Sequence, residues 1–339
     1  MIQNFLTRSL LFVFLFSAYC GLRSHTFLAS FPHDEGLFLY CGQAWAQGEI
    51  PYRDFWDHKP PGTFFFHSLP LRFFPFSIPA VKIHECLWLS ASAFVLLALL
   101  RDRFHPIASF LTLFFYIFYT SAPHTVRTGG LTEESALFFV VFSFYTILRP
   151  NGKQLWKCLL AGISIGVAIQ FRQTFVFSSL FLIGILFHEN QVLSKTWWRE
   201  GWARWSETWK SCLAIAFGLI LPEILVSLYF LFHGCWYAYI DASYLYNFFY
   251  VGPAHATKSF SEIVALQWMF LRSTGPYLLA PLFALTTYGW NSPKCRWIVW
   301  PAILTFCGDA FSISLSGEYY EHYYVQAAVS IHLLLAICL

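Results

Sequence analysis

The sequence predicts an all-α fold, a polytopic transmembrane helical bundle, and three observations predict it. The chain has 339 residues, 57% of them hydrophobic and only 12% charged, against roughly 25% charged in a soluble globular protein. So few charges cannot cover a water-facing surface of this size. Apolar runs near the ~20 residues that a bilayer core requires recur along the whole chain. Lys and Arg fall in alternate loops between those runs, the pattern that membrane insertion leaves on the cytoplasmic side.

In order, the candidate spans are 5–24, 78–100, 106–122, 131–149, 157–174, 175–189, 211–233, 273–290, 297–315 and 323–339. The first imitates a secretion signal, with Arg8 ahead of the apolar stretch Ser9–Ala18. Tyr19 before Cys20 is too bulky for the small-residue cleavage site, so this run is expected to stay as a span. The fifth and sixth spans imply a sharp turn between them. The last run reaches residue 339 without a polar tail, as in a fragment or a shortened chain. There is no internal repeat or low-complexity tract. Residues 1–339 therefore read as one transmembrane domain, whose first outer loop covers about 25–77.

Arg101 and Arg103, then Arg149, Lys153 and Lys157, then Lys195, Arg199, Arg204 and Lys210, then Lys294 and Arg296 mark the cytoplasmic loops. The other loops hold most of the acids: Asp34, Glu35, Glu49, Asp54, Asp57, Glu133, Glu134, Asp241, Glu262, Glu318 and Glu321. Acids contribute little to orientation, so their gathering on one side calls for a functional cause. The expected location is the inner (plasma) membrane of a cell envelope, with the chemistry on the extracytoplasmic side.

Two loops carry helical spacing. Leu37, Phe38, Cys41, Ala44 and Trp45 recur at helical intervals and Gly48 ends the run, which predicts a short helix on the outer membrane surface over 37–47. Trp198, Trp202, Trp205 and Trp209 recur at four, three and four residues. They predict a cytoplasmic helix with one indole face, suited to the headgroup layer.

Several function classes are disfavoured. A net charge of +3 and the lack of a basic, aromatic-interleaved stripe argue against nucleic acid. The nine cysteines contain no CxxC pair, which supports neither zinc nor a disulfide framework, and no bond is expected between Cys41 and Cys235. His33, His58, His124, His255 and His322 lie in outer loops without HExxH-type spacing. No metal ligand set and no cofactor are expected.

The densest chemistry is the first outer loop, FPHDEGLFLYCGQAWAQGEIPYRDFWDHKPPG. Asp34 has two open readings, a helix N-cap or a catalytic carboxylate, and a cap's fixed geometry suits a base as well. Asp57, His58 and Lys59 precede Pro60–Pro61, whose fixed φ stiffens the segment. A rigid ammonium among aromatics can hold a phosphate; the competing reading is that Lys59 pairs with Asp57. Arg172 has a similar alternative, a buried pair with Glu133 or Glu134. Glu223 and Asp309 lie inside spans without an assigned role.

The acidic pair Asp34–Glu35, the WDHKPPG loop and the later RTGGLTEESALFF, GVAIQFRQTF and SGEYYEHYYVQ resemble the bacterial protein O-mannosyltransferase-like glycosyltransferases. This is glycosyltransferase family 39 of the GT-C superfamily, which includes relatives that attach aminoarabinose or galacturonate to lipid A. The resemblance runs from about residue 30 to 330, and the first loop is its most specific part. It implies a GT-C-type bundle of about ten spans. It also implies transfer of a hexose or pentose from a polyprenyl-phosphate carrier to a glycolipid, glycan or protein acceptor outside the cytoplasm, with inversion. By the same resemblance, Asp34 is the general base or acceptor-positioning acid, Glu35 its partner, and Glu133 a second acidic position. Lys59 and Arg172 face the carrier phosphate; Asp57, His58, His322 and Tyr323 line the site. The rival readings are a transporter or flippase for a lipid-linked sugar, or an inactive relative that binds polyprenyl phosphate. Transporters place ionisable groups at the midplane in repeated halves, whereas here they gather at one face.

Overall fold

A computed structural model describes residues 2–28, 33–150, 153–189, 202–249, 259–265, 268, 296–315 and 319–339. These residues are helical almost throughout, and the only strand-like pairing among them is an isolated bridge between Pro51 and Phe55. The helices are α1 (Ile2–Leu22), α2 (His33–Ala46), α3 (Gly62–Leu71), α4 (Ile78–Arg101), α5 (Pro106–Tyr119), α6 (Pro123–Val126), α7 (Thr132–Leu148), α8 (Gln154–Ile169), α9 (Ser179–Glu189), α10 (Trp202–Phe232), α11 (Trp236–Ile240), α12 (Arg296–Leu315) and α13 (Ala328–Cys338).

Among the described residues, four helical segments are long and apolar enough to cross a bilayer: Phe5–Leu22, Ile78–Arg101, Ser206–Phe232 and Trp297–Leu315. Pro106–Tyr119, Gln154–Ile169 and Gln173–Glu189 are apolar but shorter. The expected span over 273–290 lies outside the described residues. The turn expected between the spans 157–174 and 175–189 comes earlier, at Gln170–Arg172 inside the first of them, and is followed by a 3₁₀ segment, Gln173–Ser178.

Two expectations about helix boundaries need correction. The helix expected over 37–47 begins at His33, so Asp34 lies in its first turn and is not its N-cap. Acids in a first turn are favoured by the helix dipole, and because that turn is acidic, apolar spacing placed the start too late. The tryptophan segment is no separate surface helix from Trp202 onward: Trp202, Trp205 and Trp209 belong to the head of α10, a 31-residue helix. Trp198 lies outside the described residues.

The main core joins α1, α4, α5, α7, α8, α9, α12 and α13 through Leu, Ile, Val and Phe. The pair α8–α10 packs backbone to backbone. A Cβ on Gly162 or Gly218 would overlap Ile215 O or Leu159 O respectively, and one on Gly166 would sit 2.5 Å from Leu219 O. Small residues four apart allow this approach where no water drives helices together. A second apolar cluster anchors the first loop: Phe38, Ile50, Tyr52, Phe55 and Phe64 pack on Phe230, Cys235 and Tyr239. Cys41 and Cys235 sit in this cluster as free thiols.

The ends of the bundle differ in chemistry. At one, Arg103 donates to Leu148 O and lies 5.2 Å from the Trp297 ring, and Lys157 donates to Arg149 O at 3.0 Å. At the other lie the first loop, the turn at Gln170–Arg172 and the 3₁₀ segment Glu321–Ala327.

Candidate functional site

The loop between α2 and α3 is built to hold Lys59. Tyr52 adopts φ 65° and its amide donates to Phe55 O at 2.7 Å, closing a tight turn that Asp54 reinforces by accepting from Ile50 N at 2.7 Å. Asp57 is buried and accepts from the Lys59 amide at 2.9 Å, a side-chain turn of the kind Asp favours. Tyr52 Oη donates to Lys59 O at 2.7 Å, and Asn247 donates to His58 O at 3.1 Å. After Pro60–Pro61, the Gly62 amide donates to Gln170 O at 2.8 Å. A Cβ at Gly62 would overlap that carbonyl oxygen, so the approach requires glycine.

This seats Lys59 beside Arg172. Burial, and then the neighbouring Arg172 charge, push the Lys59 ammonium down to about 8, against the opposing pull of Asp57 and Asp34. Arg172 sits where α8 has ended, ion-paired to Glu133 in the first turn of α7. Its guanidinium carbon lies 3.8 Å from the centroid of Tyr323. Glu133 also accepts from Thr132 Oγ1 at 2.8 Å.

The segment after α12 closes the group. His322 is buried, parallel to Tyr320 at 5.7 Å and edge-on to Tyr323 at 4.6 Å. Burial, followed by Arg172, Arg127 and Lys59, pushes its imidazole down to about 2, so it is neutral at physiological pH. Arg127 pairs with Glu321 at 3.3 Å and lies over the Tyr320 ring.

Lys59, Asp57, Glu133, Arg172, His322 and Tyr323 are thus brought together from four parts of the chain. Asp34 is exposed and close enough that its charge acts on both Lys59 and Asp57. Burial raises the Asp57 carboxyl above the usual range. His58 borders the group, its Nδ1 3.5 Å from Asp57, and burial pushes it down to about 4.

Glu35 turns away from this group. It is buried in an ion pair with Lys82 and accepts from Thr128 Oγ1. Lys82 also reaches Glu85 at 3.3 Å and Thr128 O at 2.7 Å. Arg23 pairs with Glu134 at 2.5 Å and donates to Thr120 O at 2.8 Å. Two buried cations therefore face three buried carboxylates. Burial outweighs Lys82 and pushes Glu35 up to about 7. Gly129 and Gly130, at φ 82° and 74°, thread the RTGG loop over this network. Sequence reading missed Lys82 and Glu85, although two charges three residues apart in an apolar span were a visible signal.

Below the Lys59 loop opens an apolar groove of about 390 Å³. Pro61, Gly62, Gln170 and Phe171 form one edge, and Trp88, Phe139, Pro222 and Tyr229 line the rest. The segments that carry Lys59 and Arg172 are therefore also its rim.

Residues 58–225 match the model of a family described as dolichyl-phosphate-mannose-protein mannosyltransferase. The match takes in Lys59, Glu133 and Arg172; Asp34 precedes it and His322 follows it. No curated protein matches the chain.

Proposed function

We propose that this chain is a membrane glycosyltransferase of GT-C type. It takes a monosaccharide from a polyprenyl-phosphate carrier and transfers it, with inversion, to an extracytoplasmic glycolipid, glycan or protein. The observation that carries this reading is that the segments bearing Lys59 and Arg172 line an apolar groove through Pro61, Gly62, Gln170 and Phe171, with the two cations close enough to act on one another. A phosphate head with an isoprenoid tail is the ligand whose two halves want these two surroundings. The family match over residues 58–225 supports the same donor class.

In the proposed step, the acceptor hydroxyl gives its proton to the Asp34 carboxylate while its oxygen attacks the anomeric carbon. The bond from that carbon to the phosphate oxygen breaks, and polyprenyl phosphate leaves with the electron pair. A positioned carboxylate base contributes typically 10²–10⁴-fold. Lys59 and Arg172 stabilise the charge gathering on the phosphate. Asp57 and Tyr52 hold the lysine's backbone, and Tyr323 supports the guanidinium.

The test is direct. Purified protein in lipid nanodiscs receives a polyprenyl-phosphate-linked monosaccharide and envelope glycolipids or proteins as acceptors. The expected result is sugar on an acceptor and free polyprenyl phosphate in equal amount. A donor left intact with every acceptor class, or, in sealed liposomes, sugar-carrier moved across the bilayer unchanged, overturns the reading.

A further inference from the structure

Glu223 sits inside α10, directly after Pro222, with no ion-pair partner among the described residues. A carboxylate in a membrane helix is expensive and calls for a reason. Its oxygens accept from Gln170 Nε2 at 2.9 Å, Tyr239 Oη at 2.9 Å, Tyr244 Oη at 2.6 Å and Ser227 Oγ at 3.1 Å. Four donors satisfy both oxygens, so the group has hydrogen-bonding capacity left neither for a cation nor for a ligand.

Two of these donors lead to the phosphate-binding loop by opposite routes. Gln170 binds Glu223 through its side chain, while its own carbonyl holds the Gly62 amide, and Arg172 follows two residues later. On the other side Tyr244 adjoins Ser243, whose hydroxyl donates to Tyr52 Oη at 3.1 Å. Tyr52 in turn donates to Lys59 O. Gln173 donates to Ser243 O and Asn247 to His58 O, bracing the same strip. This strip, Asp241–Leu245, is a π-helical turn, a distortion found most often at functional sites. The chain Glu223–Gln170–Gly62–Lys59–Tyr52–Ser243–Tyr244–Glu223 is a closed ring.

We propose that Glu223 is the positioning residue of the donor site, the joint that makes the Lys59 loop and the Arg172 turn one rigid anion-binding unit. This rests on the donor reading above, and the test separates the two. Pro60 and Pro61 carry no amide hydrogen, so hydrogen exchange over 59–62 reports only Lys59 and Gly62. Exchange is measured in nanodiscs for wild type, Glu223→Gln, Gln170→Ala and Ser227→Ala. Binding of polyprenyl monophosphate without sugar is measured alongside. A hydrogen bond to a charged group is worth about 1.5–3 kcal/mol, about tenfold or more. Glu223→Gln and Gln170→Ala should therefore each speed Gly62 exchange and weaken polyprenyl phosphate by about tenfold. Ser227→Ala, which removes a donor outside the ring, should do neither.

Wild-type exchange at Gly62 in both Glu223→Gln and Gln170→Ala overturns the proposal. If either variant does not fold, Tyr244→Phe, which opens the ring from its far side, carries the same measurement. Faster exchange in a chain whose wild type ignores polyprenyl phosphate supports the ring and overturns the donor reading.

Discussion

Arg172 is held between opposites: Glu133 pairs with its charge while the Tyr323 ring lies 3.8 Å from its guanidinium carbon. A planar, delocalised cation is well suited to both, pairing in its plane and stacking on its face. Lysine at 172 should keep the ion pair and lose the stacking. A desolvated cation–π contact is worth about 0.5–2 kcal/mol, so Tyr323→Ala and Arg172→Lys should each weaken carrier binding by roughly 2- to 30-fold. Tyr323→Phe, which keeps the ring and removes the hydroxyl that hydrogen-bonds the guanidinium, should lose less than Tyr323→Ala. Equilibrium binding of polyprenyl phosphate checks all three, and equal loss in Tyr323→Phe would show that the hydroxyl, not the ring, matters.

Asp34→Asn keeps the size of the side chain while removing its basicity. Transfer should fall by roughly 10² or more, with carrier affinity unchanged. Single-turnover kinetics beside binding separate the two. Full turnover in this variant would remove Asp34 from the chemistry.

Carrier binding should weaken as pH rises through about 8, where the Lys59 ammonium loses its proton. A bound phosphate stabilises the ammonium, so saturating carrier should push this limb to higher pH. Lys59→Arg, permanently charged, should abolish the limb even if its affinity is lower. A limb that persists in Lys59→Arg would assign it to another group.

Glu35 predicts a pH dependence of stability. Its carboxyl is raised from 4.5 to about 7 in the folded chain, so between those values the folded state binds more protons than the unfolded one. By linkage its contribution is fully present below about 4.5 and is lost as pH rises through about 7. Glu35→Gln, a mimic of the protonated acid, should flatten the fall of apparent Tm over this window relative to wild type. Parallel curves for the two proteins would mean that Glu35 does not hold the proton.

Gly62→Ala should displace the Gln170 carbonyl and with it the Lys59–Arg172 spacing. We expect the helices to persist, by circular dichroism, while carrier affinity falls at least tenfold, the scale of one lost charged contact. Wild-type affinity in Gly62→Ala would show that the loop tolerates the added methyl.

How much of this was legible in sequence depended on the range of the interaction. Lys59 on its proline-stiffened segment could be read locally, because Asp57, Pro60 and Pro61 set its surroundings within four residues. The alternative partners of Arg172 were also named, and the ion pair with Glu133 is one of them. Glu35 looked like a twin of Asp34, yet successive helical residues point about 100° apart. The first faces Lys82, 47 residues on, and the second stays exposed. No local spacing reveals which cation lies across a bundle. Glu223 was visible as a charge in a span, but its donors come from Gln170 and Tyr244, 53 residues before it and 21 after. The close seam of Gly162, Gly166 and Gly218 was present as spacing and went unused.

The Glu133–Arg172 pair also sets a threshold for occupancy. Any anion that approaches Arg172 competes with a carboxylate already in place, and breaking a buried pair by taking one partner is costly. A free phosphate or sulfate has only its own charge with which to offset that loss. A ligand that also fills the groove below Pro61 and Gly62 has more, because its tail contributes apolar burial of about 25 cal/mol per Å². The site should therefore ignore the millimolar small anions around it and answer only to an anion anchored in oil.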